Sequence, residues 1–517
     1  MRISITKSIM CFLVLAILSS ISSTVIAQKA LPTGTKLVAA INGDTTSAGV
    51  RINKSYTLER GGIYFVTGQI ANNYDLKISA TGNTTLDRPK LIIVPDASGN
   101  TADYIFKPYK SLKLDGLYIS GVNSSRNQQG NLIQTGTTNV KITLNNCEID
   151  SVKNRIIVAD QNFCSVFITD SYMHNTANSS HGGRIIDARE TIMDTIVMVN
   201  NTFYNVMHNI LGRFSGGQKY FKFDHNTVYN LMRTPLRIDV CPDIVMTNNL
   251  FLQTGFVGYI PEWEKQFQLG DMGDRDEWTR IEIWPLDSLN AFKGMTQKIN
   301  CKNNNFWIDP AIETAFPDTI YKYRTLDFAF EKKMVGADTL TWVSENVSFV
   351  KAPSCKYLEM AKECWKDGSP QTNPGFDNTG YPFNFSYSTT SKSYTAATGG
   401  FPLGDLNWFP EQKAKWLTSS DVIETDAVIP VKYSLEQNYP NPFNPTTSIR
   451  FEIPTHGNYT VKVANILGQE VATLINGKLN AGVHHVTFNA ANLSSGVYFY
   501  SLTGDKVNIT KKMLLMK

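Results

Sequence analysis

The chain has 517 residues, enough for a large core and more than one domain. Charged residues make up only 18% and the formal net charge is +4, so there is no bulk field that would favour nucleic acid. After residue 27 no stretch is long and apolar enough to cross a membrane as a helix.

In chain order, the first element is a secretion signal, predicted over residues 1–27. Met1, Arg2 and Lys7 give a basic start, an apolar run follows from Ile9 to Ile17, and Val25-Ile26-Ala27 ends on a small residue. Cys11 lies ahead of most of the apolar run and is not a lipid-attachment cysteine. Residues 28–417 read as one long domain. Leu37–Ile41 followed by Gly61-Gly62-Ile63-Tyr64-Phe65-Val66 resembles the opening coil of pectin-lyase-like β-helix proteins, and Leu112–Ile119 reads as a further coil.

From about Asn139 to Trp307 a degenerate repeat runs through the chain: Asn, Asp or His, then a small or amide residue, then any residue, then an apolar one. It appears as Asn146-Cys147-Glu148-Ile149, Asp170-Ser171-Tyr172-Met173, Asn200-Asn201-Thr202-Phe203, His225-Asn226-Thr227-Val228, Asn248-Asn249-Leu250-Phe251 and Asn303-Asn304-Asn305-Phe306. The apolar positions are 24, 30, 25, 23 and then 55 residues apart. A period in the twenties with several short strands per unit indicates a solenoid, and no helical period runs through it. The expected fold is all-β: a right-handed parallel β-helix, followed by a small C-terminal β-sandwich. Stacking of coils about 4.8 Å apart would turn Asn201, Asn226, Asn249 and Asn304 into an amide ladder with a structural role. The 55-residue gap holds Gly270–Trp278, and the stretch near 255–295 is expected to project as a side loop.

A second column holds candidate chemistry. Arg155, Arg184, Arg213 and Arg237 each start a strand and are 29, 29 and 24 residues apart, which predicts a row of arginines on one outer face. Guanidinium groups about 5 Å apart repel by about 0.8 kcal/mol even in water, so such a row calls for an anion along it. Planar, permanently charged arginine suits carboxylates and sulfates. These four are the candidate substrate-binding residues, for an acidic polysaccharide. The competing expectation is that Asp160, Asp187 and Asp239 neutralise the row within the protein.

Removing the proton beside a uronate carboxylate needs cations to acidify it and a base to take it. The candidate bases are His181, His208, Lys219 and Arg233. Arg233-Thr234-Pro235-Leu236-Arg237 resembles an arginine-proline-arginine element of pectate lyases, with its second arginine one residue early. Asp224-His225-Asn226 is also similar to those enzymes, but His225 lies in the repeat, where a structural role is expected. Asp160, Asp187 and Asp239 sit at different offsets from their arginines, which ranks hydrolysis by paired carboxylates below elimination. No cofactor is specified. Calcium would be admitted at Asp187, Asp239 or the Asp271-Asp274-Asp276 loop, although no ordered ligand spacing supports a metal. If the segment from Cys355 to Cys364 were one helix, the two residues would sit about 13 Å apart along it and could not bridge. Buried free thiols are the default for the six cysteines beyond the signal.

Gly399-Gly400-Phe401-Pro402-Leu403-Gly404-Asp405-Leu406-Asn407-Trp408-Phe409 resembles the closing segment of exported β-helix proteins from polysaccharide-degrading bacteria. Residues 418–430 are polar and acidic and read as a linker. Beyond them, Gln437-Asn438-Tyr439-Pro440-Asn441-Pro442-Phe443-Asn444-Pro445-Thr446-Thr447 bars helix and leads into short alternating strands punctuated by Gly468, Gly477, Gly482 and Gly496. Residues 431–517, with this lead-in, the Ile466-Leu467-Gly468-Gln469-Glu470-Val471 turn and the Leu493–Tyr498 block, closely resemble the C-terminal sorting domain of the type IX secretion system. That resemblance implies the type IX machinery as a partner. It also implies export to the outer-membrane surface or the medium of a Gram-negative bacterium. The expected function is to act on or bind an acidic polysaccharide, by β-elimination if it is an enzyme. The alternative is a non-catalytic adhesin or glycan binder.

Overall fold

The structure is a computed structural model that describes residues 28–82, 87–176, 182–188, 190–213, 215–255, 281–311, 340–354, 379–418, 433–435, 437–438, 441–455, 457–479, 482–504 and 506–516. The signal at 1–27, His181, the 270–278 loop, Cys355 and Cys364 lie outside them, as does most of the 418–430 linker. The chain divides into two compact units, residues 1–413 and 414–517.

The first unit is a parallel β-solenoid of about 8 turns. Each middle coil contributes one strand to each of three sheets. Ser165–Thr169, Ile192–Val199, Gly217–Asp224 and Asp243–Thr247 stack in the first sheet. Tyr172–Thr176, Thr202–Val206, Thr227–Leu231 and Leu250–Thr254 stack in the second. Arg155–Val158, Arg184–Asp187, Leu211–Gly212, Leu236–Val240 and Ile281–Trp284 stack in the third. Part of the stretch expected to project near 255–295 is therefore a strand of the third sheet. At the amino end, Leu37–Asn42 forms one short helix whose Leu37 and Ile41, four residues apart, are both buried.

The repeat governs the interior. Its apolar position places Ile149, Met173, Phe203, Val228, Phe251 and Phe306 in one register column, every member buried. Phe251 and Phe306 stack with centroids 4.4 Å apart. Its first position, occupied by Asn146, Asp170, Asn200, His225, Asn248 and Asn303, has positive φ throughout, between 49 and 61°. Asn, Asp and His are the non-glycine residues that best tolerate this left-handed conformation, which explains their restriction to that position. Its second position forms the expected amide ladder. Asn201 Nδ2 donates to Asn226 Oδ1 at 2.9 Å, Asn226 to Asn249 at 3.2 Å, and Asn249 to Asn304 at 2.9 Å. The backbone N–H groups of Asn201, Asn226 and Asn249 donate to the same oxygens. Ser171 and Cys147 extend the column: Ser171 N–H donates to Asn201 Oδ1, and Cys147 N–H to Ser171 Oγ. A second ladder was not anticipated. Asn230 Nδ2 donates to Asn205 Oδ1, and Asn205 to Asn175, all three again at positive φ.

A strap formed by residues 381–409 runs along the second sheet against the coil order. Thr398 meets Asn248, Gly404 meets His225 and Leu406 meets Asn200. Lys413, just beyond it, reaches Asp170 at 2.6 Å. Gly404 has φ +86°, and a Cβ there would come 2.4 Å from Thr227 Oγ1, so only glycine allows this approach. Phe383 and Phe385 pack on Tyr204, and Trp408 stacks on Tyr172.

The second unit is an antiparallel sandwich with sheets of three and four strands and its own core, including Phe443, Phe451, Val461, Tyr500 and Leu515. The proline-rich lead-in is fixed by Asn438, whose N–H donates to Tyr500 Oη at 2.8 Å. Phe443 exchanges backbone hydrogen bonds with Leu514 and Met516.

Candidate functional site

The third sheet carries the arginines, but not in one column. Arg155 lies opposite Arg184. Ile186 then pairs with Leu211, so Arg184 faces Asn209, and Arg213 falls outside that column. Leu211 pairs with Leu236, which sets Arg237 opposite Gly212 on one side and Glu282 on the other. The single row read from spacings of 29, 29 and 24 residues is corrected. Coil length is not constant, since ladder partners are 30, 25 and 23 residues apart in successive coils. Equal spacing in sequence is therefore not equal register. Arg213 is fully buried, and its Nη1 donates to the Thr191 carbonyl at 2.8 Å. Burial draws its pKa down to about 10 against the pull of Asp239. It does not line an outer face.

What the fold does bring together is His208, Arg184 and Arg233. Arg184 Nη2 lies 3.2 Å and Arg233 Nη1 3.1 Å from the same ring nitrogen, His208 Nε2. His208 is 5% exposed, Arg184 1% and Arg233 8%. Asn209 fixes the ring. Its Nδ2 donates to the Thr234 carbonyl, so its Oδ1 is the atom turned to His208 Nδ1. An oxygen there accepts, which puts the imidazole proton on Nδ1 and leaves Nε2 as a lone-pair acceptor for both guanidinium groups. Burial, then the charges of Arg184 and Arg233, hold the His208 pKa well below the usual histidine range. The ring is a neutral base at neutral pH. Gly212 makes room for the arrangement, since a Cβ there would come 2.8 Å from Arg184 Cδ.

Asp187 bridges two of the arginines, 2.5 Å from Arg155 Nε and 3.6 Å from Arg184 Nη1. Asp160 accepts instead from Gln134 and Thr135. Neutralisation within the protein is thus carried by Asp187 for Arg155 and Arg184, while Asp239 acts on Arg213. Lys219 stands apart from this cluster. It belongs to the first sheet, pairs with Asp194 at 2.8 Å and lies over the Phe163 ring. His225 is buried with Nδ1 at the Gly404 carbonyl, holding the strap. Among the described residues no group of three or more His, Cys, Asp or Glu could hold a metal ion. Cys147, Cys164, Cys241 and Cys301 are buried free thiols.

A second polar cluster was missed. His174 lies between Glu148 and Asp150, at 3.3 and 3.1 Å, and stacks on Tyr204. Burial alone would lower its pKa, but the hydrogen bonds and charges of the two carboxylates outweigh it and raise it to about 9. Arg88 pairs with Glu148 at 3.0 Å, and the Tyr381 hydroxyl donates to the same carboxylate. This cluster fastens the first residue of the strap. Its signal in the sequence was faint: Glu148, Asp150 and His174 alternate outward on neighbouring coils of the repeat.

A long solenoid with a separately cored sandwich behind it has the organisation of a cargo with an appended address. Residues 437–516 match the family described as the secretion system C-terminal sorting domain. The sandwich is thus a type IX sorting domain, and the protein is exported to the cell surface or the extracellular space. No curated protein and no solved structure matches the chain.

Proposed function

We propose that the solenoid binds an acidic polysaccharide over the third sheet and cleaves it by β-elimination, with His208 as the base. The observation that carries this reading is the convergence of Arg184 and Arg233 on His208 Nε2 at 3.2 and 3.1 Å. In a uronate the proton to be removed sits on the carbon that bears the carboxylate. Cations that hold the carboxylate must therefore lie within a few ångströms of the base, and here they do. Guanidinium charge on the carboxylate acidifies the C5 proton and stabilises the developing enolate. His208 Nε2 takes that proton, and the C–H electron pair passes into the enolate held by the guanidinium groups. As the enolate collapses, that pair forms the C4–C5 double bond while the C4–O bond breaks, and the departing oxygen takes a proton from water. Arg155, beside Arg184 in the same column, and Arg237, in a neighbouring one, would hold flanking acidic sugars.

The test is incubation of the full-length chain with pectate, alginate and glucuronan, reading absorbance of the unsaturated product. A rise that disappears in His208→Gln supports the reading. Binding of these polymers with no rise on any of them would make the protein a non-catalytic glycan binder.

A further inference from the structure

In the free protein the base nitrogen is covered by the very residues that would hold the substrate. His208 is buried, and two donors occupy the side of the ring on which its lone pair lies. The opposite nitrogen is locked by Asn209 and Thr234, so the ring has no second tautomer to offer without breaking that pair of hydrogen bonds. We propose that Arg184 and Arg233 form a ligand-operated cover: they cap His208 Nε2 in the free protein and leave it when a sugar carboxylate takes their hydrogen bonds, so the base is uncovered only with an anionic sugar in place. This rests on the elimination reading above and adds regulation of the same site.

Two physical points support it. A guanidinium donates a stronger hydrogen bond to a carboxylate than to a neutral imidazole, because the acceptor is charged, so exchange of partner is favourable on binding. The same exchange changes the base. Arg184, Arg233 and Arg237 are the cations that act on His208, and Asp187 is the carboxylate beside Arg184. Adding a carboxylate to that group cancels part of the charge that suppresses protonation, so proton affinity rises when the proton must be taken. A neutral sugar does neither.

The experiment uses the full-length chain labelled with 15N-histidine. The chain has seven histidines, and the His208 resonance is assigned by its loss in His208→Gln. Monomeric galacturonate, mannuronate, guluronate and glucuronate serve as probes, because they have no C4 glycosidic bond to eliminate. Galactose and chloride of matched ionic strength are controls. The ring of the free protein is expected to show an Nδ1–H tautomer, and a uronate to raise its proton affinity tenfold or more while the controls do not. Arg184→Gln with Arg233→Gln, checked by circular dichroism for retained fold, should raise it with no probe present and abolish the further response. If a uronate shifts other resonances but leaves His208 unmoved, the cover is wrong and the binding site stands. An unchanged His208 in the double variant also overturns the cover. If no uronate perturbs the protein, the elimination reading falls and the cover with it.

Discussion

Burial and two adjacent guanidinium groups make protonation of His208 costly in the folded chain, while an unfolded histidine has no such neighbours. The folded pKa lies below the unfolded value of 6.5, so its contribution to stability is complete above pH 6.5 and is lost as pH falls below it. His208→Gln should flatten that part of the curve. Denaturation midpoints at pH 7 and pH 5 should differ less in the variant than in the wild type, and an equal acid loss in both would show that His208 does not carry it. The sequence singled out His208 and Arg233 as candidate bases and Arg184 as a candidate substrate-binding residue, but not that the three meet at one ring nitrogen. Asn209 and Gly212 were not. One acts by orienting a ring and the other by leaving space, and neither role has a composition signature. Lys219 lies on the first sheet, apart from His208, a separation that only the coil boundaries could reveal.

The ladder stands or falls as an element. Asn226 accepts from both the N–H and the side chain of Asn201, donates to the Met198 carbonyl and continues to Asn249. Asn226→Leu would leave the buried N–H of Asn201 without its acceptor and would interrupt the column at its middle. Loss of one partner of a buried donor costs about 1–3 kcal/mol, and here several donors are affected. Urea denaturation of Asn226→Leu should show destabilisation of at least about 2 kcal/mol, and a change within error would mean that the neighbouring coils supply other partners. This ladder could be read from the sequence because its position in the repeat is fixed, and the positive φ of the preceding residue is written in the Asn, Asp or His found there. The second ladder of Asn175, Asn205 and Asn230 was written as plainly, four residues beyond Ser171, Asn201 and Asn226, but is shorter. The arginine register was not legible. Coils of unequal length place their extra residues in loops, and spacing alone does not say on which side of a strand they fall.

At the scale of the whole molecule, folding and delivery are assigned to different units. The solenoid core runs from Leu31 to Phe306, and the sandwich core is a separate set of residues from Leu435 to Leu515. The strap that closes the second sheet ends before the sandwich begins, with Trp408 on Tyr172 and Lys413 on Asp170. The hydrogen bonds described for the His208 cluster, among Arg184, His208, Asn209, Arg233 and Thr234, lie within the first unit. A chain ending at Thr418 should therefore keep the solenoid's circular dichroism and thermal midpoint, and yet fail to reach the cell surface in a bacterium that carries the type IX machinery. Cell fractionation beside thermal denaturation checks both halves at once. Surface delivery of the shortened chain would separate export from the sorting domain. A large fall in the midpoint would mean that the sandwich contributes to the stability of the cargo, and that the two cores are not energetically independent.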